Sequence, residues 1–527
     1  MKISIQNRTY TSFEVSNNDT NNDIDPIKLK LFHDDTFSFT DSVFSLIDSP
    51  TRTAEFLTGV LVLDDNKSYG RYKNNKRLMY RCVPSNKKLP YFTVPYDISL
   101  GFNKKQINKF ILFRFKDWNI INNHPTGVIT ETIGNVDDIK SVFLYKLYSE
   151  RLNHVMKLFN HVTKQICINN NPRIEPNSVD TYTFSIDPKN CIDYDDAFSI
   201  NYTNQQYVVS VYIADVVSNI ERHNIWGYFT ERVSTIYLPD RRLPMIPQNF
   251  SEKFCSLKEK HTKPTMKIDF YFNQNGTLID TKDNISFVDI FIDRNFVYEE
   301  NTLLDDSAYK LLLQLTKLSQ PTIQNSHDLV SYWMLKSNHS CAKYMNLHKQ
   351  GIYRVHQPTD ISQNELGAWN NISSQYQLYE TDSVCDYTHV TSPIRRIVDL
   401  FNQIIIRKNV TGYVSQEAHL FIDKWIQKID LINTSMKSIR KIQFNCELLS
   451  HFENVDNITN KTYEGVIVEK KCGTSSYSYT VYVSSLKLFS KVSKSEVDLD
   501  ITDRIIVSFA IFKSESMMCK KVRLKIV

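Results

Sequence analysis

The chain has 527 residues, of which 41% are hydrophobic and 23% charged, with a formal net charge of +5. That length and apolar content suit three or four globular domains. The 12 glycines never cluster, the closest pair being Gly127 and Gly134, which excludes a Walker A loop and a Rossmann fingerprint. No apolar run reaches the ~18 residues that span a bilayer, and the first ten residues (MKISIQNRTY) contain no secretory h-region. An intracellular chain, cytoplasmic or nuclear and not secreted, is therefore expected. The nine cysteines contain no Cys-x-x-Cys pair, and read as thiols of a reducing compartment rather than a disulfide framework.

In chain order, residues 1–135 read as short β segments broken by turns: Thr58–Leu63, Leu78–Val83, Phe110–Phe113 and Gly127–Thr130. This spacing suggests one or two small barrels of the OB kind, with an abbreviated segment at 1–54 and a fuller barrel at 55–135. Between Lys67 and Lys88 stand eight basic residues and no acid, with Tyr69, Tyr72 and Tyr80 interleaved. Cations for phosphates beside aromatics for bases are what a single-strand-binding groove needs, and Lys67, Tyr69, Arg71, Tyr72 and Lys73 are its candidates. A solvated basic hairpin reads equally well.

Leu144, Leu147, Leu152, Val155 and Leu158 recur at helical spacing and predict a helical linker over 136–178. Strands are expected at Thr183–Ile186, Tyr207–Ala214 and Met266–Phe272, the last followed by an Asn275-Gly276 turn. Helices follow at Ala308–Leu318, Asp328–Leu347, Pro393–Lys408 and from Gln416 to His451. After Asn460 the pattern returns to β, and 460–527 reads as a second OB-like barrel. Fold class is thus multidomain α+β: barrel, α+β core over 179–455, barrel.

Two local features carry chemistry. Asp187, Asp193, Asp195 and Asp196 fall within ten residues, between two apolar stretches. Two unit charges ~4 Å apart near a surface repel by about 4 kcal/mol, so converging them is unfavourable without a divalent cation. Oxygen-only donors point to Mg²⁺ or Mn²⁺, and the EF-hand glycine and glutamate are missing. An acidic surface turn is the alternative. Further on, Ser392 and Pro393 suit a helix start, and Arg395 and Arg396 then occupy its first turn, where the dipole disfavours cations. A bound phosphate would resolve the mismatch, and so would pairing with Asp399. Together the two features suggest phosphodiester hydrolysis.

The segment Asp187–Ala197 is followed in order by VYIADV (Val211–Val216), YLPDRRLPMIP (Tyr237–Pro247), FCSL (Phe254–Leu257), GIYRVHQP (Gly351–Pro358) and YTHVTSPIRR (Tyr387–Arg396). This set resembles the ribonuclease II/ribonuclease R (RNB) family, and most of all its eukaryotic exosome-exonuclease branch. The resemblance implies cold-shock OB domains, a central RNB catalytic domain and an S1-type OB domain. It implies a processive, metal-dependent 3′→5′ exoribonuclease that releases nucleoside 5′-monophosphates from single-stranded RNA. No membrane association or nucleotide cofactor is expected, and a monomer is. By the same resemblance Asp187, Asp193 and Asp196 would bind Mg²⁺ (or Mn²⁺), and Asp195 would serve cleavage rather than RNA binding. Arg395 would contact the scissile phosphate, Arg396 nearby would bind RNA, and Tyr237 would stack on the 3′-terminal bases.

There are departures. Where the family carries a Glu-Glu pair before a Met, this chain has Ser331-Tyr332 before Trp333-Met334, which removes a group that helps hold the terminal ribose. The family's His-Ile-Ala-Asp is Tyr212-Ile-Ala-Asp215 here. No PIN domain precedes the barrels, so a second nuclease activity is not expected. The competing readings are a catalytically silent RNB protein that only binds RNA, and an OB-containing assembly factor whose acids are structural.

Overall fold

A computed structural model of the chain describes all residues except 17–23, 41–42, 73–76, 99–105, 119–123, 171–180, 280–283, 356–367, 374–375, 379–382, 455–460, 474–475, 487 and 514–519. The chain divides into two units, one of residues 1–153, 238–240 and 441–527, the other of 154–237 and 241–440.

In the first unit, two short hairpins, Ile3–Ile5 with Phe13–Val15 and Thr36–Thr40 with Val43–Asp48, stand where an abbreviated barrel is expected. A closed five-stranded barrel follows, with strands Leu57–Leu61, Leu78–Pro84, Phe92–Tyr96, Thr126–Asn135 and Lys109–Asp117 in that order around it. Alternation of apolar side chains puts Phe92, Val94, Ile111 and Phe113 inside. Gly59 is required there, because a Cβ would lie 2.7 Å from Cys82 Sγ. Phe92–Tyr96 carries a proline and escaped the sequence reading; it is held by pairing with Leu78–Pro84. At the C-terminus five antiparallel strands, Thr462–Cys472, Tyr477–Val483, Leu488–Ser495, Arg504–Lys513 and Lys520–Ile526, curl into a nearly closed OB-like barrel.

The helical linker is two helices rather than one. Ile139–Ser149 is capped by Asp138 and stops where Arg151 turns left-handed, φ 55°; Lys157–Asn169 then begins in the second unit.

The core of the second unit is a seven-stranded sheet. Its path runs Leu278–Ile279, Thr262–Phe272, Gln206–Ala214, Asp196–Thr203, Phe184–Asp187, Arg294–Val297, and Ile285–Phe291 also pairs with Thr262–Phe272. Against it lies the helix Ile397–Thr411, buried continuously from Ile397 to Ile406, its polar Asp399, Asn402 and Gln403 each hydrogen-bonded. Gln403 ties helix to sheet, donating to Ala214 O (2.8 Å) and accepting from Val216 N–H (3.0 Å). Asp215 caps the helix Val216–His223 and pairs with Arg407. Tyr212, at the histidine position, reaches Ser199 Oγ at 3.1 Å, a packing change.

Two helix boundaries need correction. The helix expected to start at Pro393 starts at Ile397. Residues 392–395 instead form a turn, closed by Arg395 N–H and Arg396 N–H on Ser392 O (3.2 and 3.1 Å). The run from Gln416 to His451 is two helices, Gln416–Ile426 and Ile429–Asn454.

Candidate active site

The acidic cluster is built by strand pairing. The antiparallel register Phe184↔Phe198 sets the Asp187 end of one strand against the Asp196 start of the next, and the loop between them carries Asp193 and Asp195. Asp187 is 8% exposed, and its Oδ2 has no hydrogen-bond partner. Asp196 Oδ2 is likewise buried and unpartnered. Asp193 is engaged by Arg242 Nη2 and by Ser251 Oγ–H (3.4 Å). Asp195, fully enclosed, accepts from Ile394 N–H (3.2 Å) and Arg395 Nε–H (2.9 Å).

The arginine pair divides. Arg395 donates through Nε to Asp195 and through Nη2 to Ser392 Oγ (3.0 Å), yet its side chain remains 42% exposed. Arg396 turns away to the buried Asp399 (2.7 Å). The turn bearing Arg395 is laced to the segment leading into Tyr237: Thr235 N–H and Ser234 Oγ–H both donate to Arg395 O at 2.9 Å, and Ile397 N–H donates to Val233 O at 2.9 Å. Tyr237 is 43% exposed, with the Arg242 guanidinium 5.9 Å from its ring centre.

Burial, reinforced by the Asp195 charge, pushes the Asp187 carboxyl up to about 7. Asp196 is held well above the usual carboxylate range by burial and by Asp187 and Asp195. Burial raises Asp195 too, against the opposing pull of Arg395. In the unfolded chain these acids ionise near pH 4. Between about pH 4 and 7 the unfolded state therefore sheds protons that the folded state keeps, so stability present at low pH is lost as pH rises through 7. Melting in EDTA should fall by several degrees over that interval, Mg²⁺ should restore it above pH 7, and Asp187→Asn should flatten the slope. An unchanged slope in that variant would remove Asp187 as its source.

The donor set fits a hard divalent ion. Two buried carboxylate oxygens lack partners, and all the donors are oxygens. Among the described residues no group of three or more His, Cys, Asp and Glu side chains closes around one point.

Three residues of the site were not singled out from sequence. Arg242 neutralises Asp193, and only its place in the YLPDRRLP motif hinted at it. Tyr298 donates its N–H to Asp187 O (3.1 Å), and its phenol is raised by burial and by the charges of Asp196 and Asp187. It stacks on His327 at 3.8 Å. Cys191 lies between the acids, its thiol pushed up to about 12 by burial and by Asp187. At the departure from the family, Ser331 is exposed, while the neighbouring Trp333 is buried and donates to Thr316 Oγ1 (3.2 Å). Asn338 accepts from Val390 N–H (2.8 Å) and so orients the segment before Arg395.

The basic segment belongs to the first unit. Tyr69 and Tyr72 are held by main-chain bonds to Met79 O (2.8 Å) and Arg77 O (2.9 Å), and Arg71 bridges to Leu78. Lys67 N–H donates to Asp65, while Lys73 lies outside the described residues. Two of the cations are paired with acids, Arg77 with Asp97 and Arg81 with Asp65. A separate cavity of about 740 Å³ in this unit, lined by Phe56, Tyr148, Arg151, Lys441 and Val522 among others, contains none of the acidic cluster.

An acid-lined sheet end facing an arginine turn, in a chain that also carries a five-stranded barrel, defines an α+β protein with OB modules. The chain matches the RNB domain over residues 177–302 and the Dis3-like cold-shock domain 2 over residues 79–143. Residues 177–302 are thus similar to the RNB domain, and residues 79–143 to a cold-shock domain of the Dis3-like kind.

Similar proteins include ribonuclease R of Chlamydia pneumoniae, 26% identical over 221 residues that cover 34% of this chain and 32% of the relative. DIS3-like exonuclease 2 of Schizosaccharomyces pombe is 25% identical over 209 residues, 37% and 22% of the two chains. The chain thus spans well under two thirds of these relatives. Mycoplasma genitalium RNase R, solved with ribose-methylated single-stranded RNA, shares the fold at TM-score 0.66 and 17% identity over 94% of this chain and 95% of that one. Yeast Ssd1, a pseudonuclease, shares it at TM-score 0.56 and 14% identity over 88% and 68%. No helix among the described residues is long and apolar enough to cross a membrane.

Proposed function

We propose that the chain is a processive, metal-dependent 3′→5′ exoribonuclease that hydrolyses single-stranded RNA to nucleoside 5′-monophosphates, acting as a monomer. The observation that carries this reading is the division of the site. Asp187 and Asp196 present unpartnered buried oxygens, and Arg395, oriented by buried Asp195, keeps an exposed guanidinium edge. Asp187 and Asp196 would hold Mg²⁺, with Asp193 joining them on release from Arg242. The ion when bound supplies Lewis acidity at the phosphate and a lowered pKa for water. Arg395 offsets charge developing on the phosphate, and Asp195 fixes its direction so that no reorientation is needed during reaction. Tyr237 offers its open ring face to the 3′-terminal bases. Arg396 supports the turn through Asp399 rather than reaching RNA, and the Lys67–Tyr72 segment supplies contacts to the incoming strand.

A second reading, a silent RNA-binding RNB protein, is favoured by Ser331 and Tyr332 at the glutamate positions and by the fold shared with a pseudonuclease. A time course separates the two: 5′-labelled, unstructured RNA of about 30 nucleotides, enough for several site sizes, with Mg²⁺ or EDTA, beside the matching DNA. A ladder collapsing to a short end product only with Mg²⁺ is expected. Intact RNA that still shifts in a binding gel would establish the silent protein.

A further inference from the structure

Arg242 uses few of its donors. A guanidinium carries five N–H groups and keeps its proton at any working pH. One nitrogen, Nη2, engages Asp193. The other two, Nε and Nη1, are buried and have no acceptor among the described residues, and the side chain as a whole is 16% exposed. Buried donors without partners are rare in folded proteins, and three N–H groups on one side chain call for a reason.

The surroundings point to an anion as the acceptor. Burial disfavours the charged form of Arg242, Glu252 opposes that, and the charge of Arg395 adds to it. Glu252 already accepts from Gln248 Nε2–H. Arg242 and Arg395 repel each other, and an anion that reaches both cancels the repulsion. Tyr237 stands on the strand Ile236–Leu238, paired with Arg241–Leu243, and the Arg242 guanidinium lies 5.9 Å from its ring centre. A cation for phosphate beside a ring for a base is the chemistry of a nucleotide subsite.

Where the side chain stands, Nε and Nη1 are enclosed. A phosphate meets them only when the guanidinium turns away from Asp193. That turn leaves a carboxylate without its counter-charge unless a cation takes it. Arg242 and a divalent ion therefore compete for Asp193, and the displaced guanidinium becomes free for phosphate.

We propose that Arg242 is a second phosphate-binding arginine, passing from Asp193 to the phosphate of a bound nucleotide as a divalent cation replaces it on Asp193. Ion and nucleotide then bind cooperatively, each strengthening the other by the same factor. The ion and the ligand class rest on the exoribonuclease reading. The 3′ end of an RNA strand and a free nucleoside 5′-monophosphate share that chemistry.

The test reads binding rather than activity. A nucleoside 5′-monophosphate is titrated calorimetrically into the full chain with Mg²⁺ or EDTA, in native protein and in Arg242→Gln. Mg²⁺ should tighten native binding by about fivefold or more. With Mg²⁺ present, Arg242→Gln should bind about tenfold more weakly and lose most of that tightening, while the unphosphorylated nucleoside binds both proteins alike. Mn²⁺ titration followed by electron paramagnetic resonance, without nucleotide, reads the other half of the exchange. Arg242→Gln should hold Mn²⁺ more tightly than the native chain, because Asp193 has lost its resident partner; a merely structural arginine gives no such gain. Equal nucleotide affinity in the two proteins, or unchanged Mn²⁺ affinity, would overturn the proposal. So would native binding that Mg²⁺ leaves unchanged, a result that needs no variant. Any of these beside a collapsing RNA ladder removes the role of Arg242 and keeps the exoribonuclease. Cooperative binding through Arg242 beside intact RNA does the opposite.

Discussion

Asp195→Asn should lower the single-turnover rate of RNA hydrolysis by roughly 10³-fold or more and leave RNA affinity unchanged. The side chain is 2% exposed and receives two donors, Ile394 N–H and Arg395 Nε–H. Asparagine has the same size but replaces one acceptor oxygen with an amide donor, which must face Ile394 N–H or Arg395 Nε–H. Either way the charge that aims Arg395 is gone, and the guanidinium is free to swing. That change leaves the basic strand segment and the main-chain hold on Arg395 O as they are. Rates measured with excess enzyme, beside fluorescence anisotropy with labelled RNA, separate the two quantities. An equal loss of both would assign Asp195 to binding.

The second large effect distinguishes neighbours. Arg395→Lys should cost about 10²–10³ in rate with little change in melting. Arg395 serves Asp195 and Ser392 Oγ from separate nitrogens, Nε and Nη2, and a lysine's three donors on one atom do not reproduce that spread with a phosphate added. Arg396→Ala should do the reverse. It strips the partner from Asp399, which is wholly buried, and removing one member of such a pair costs about 3–5 kcal/mol. Thermal melting and single-turnover rates on the two variants read this crossing pattern directly. Similar losses of rate in both would mean that Arg396 also reaches the substrate.

These two arginines also show how far the sequence could be read. The acidic cluster was legible because four carboxylates in ten residues is a local signal, and repulsion at that density has few resolutions. Arg395 stood out for a reason the structure does not share. The mismatch with a helix dipole pointed to it, but the helix begins at Ile397 and the arginine rides on the preceding turn. The roles of Arg242 and Tyr298 could not be read from sequence because they lie in partners 49 and 111 residues away, Asp193 and Asp187. The division between Asp193, already neutralised, and Asp187 and Asp196, with free oxygens, depends on which acid a remote arginine reaches. No spacing within the cluster encodes that. The barrels were legible as strands and turns, while Phe92–Tyr96 was hidden by its proline.

On the proposed exoribonuclease reading, the lacing of Arg395 to Val233, Ser234 and Thr235 would bear on the stride of the molecule along RNA. Two residues beyond Thr235 the chain presents Tyr237. The span between the ring that would receive a base and the cation that would meet a phosphate is therefore set by main-chain bonds. It does not vary with whichever base lies on the ring. On that reading the segment works as a ruler, holding one span from ring to cation for purine and pyrimidine alike.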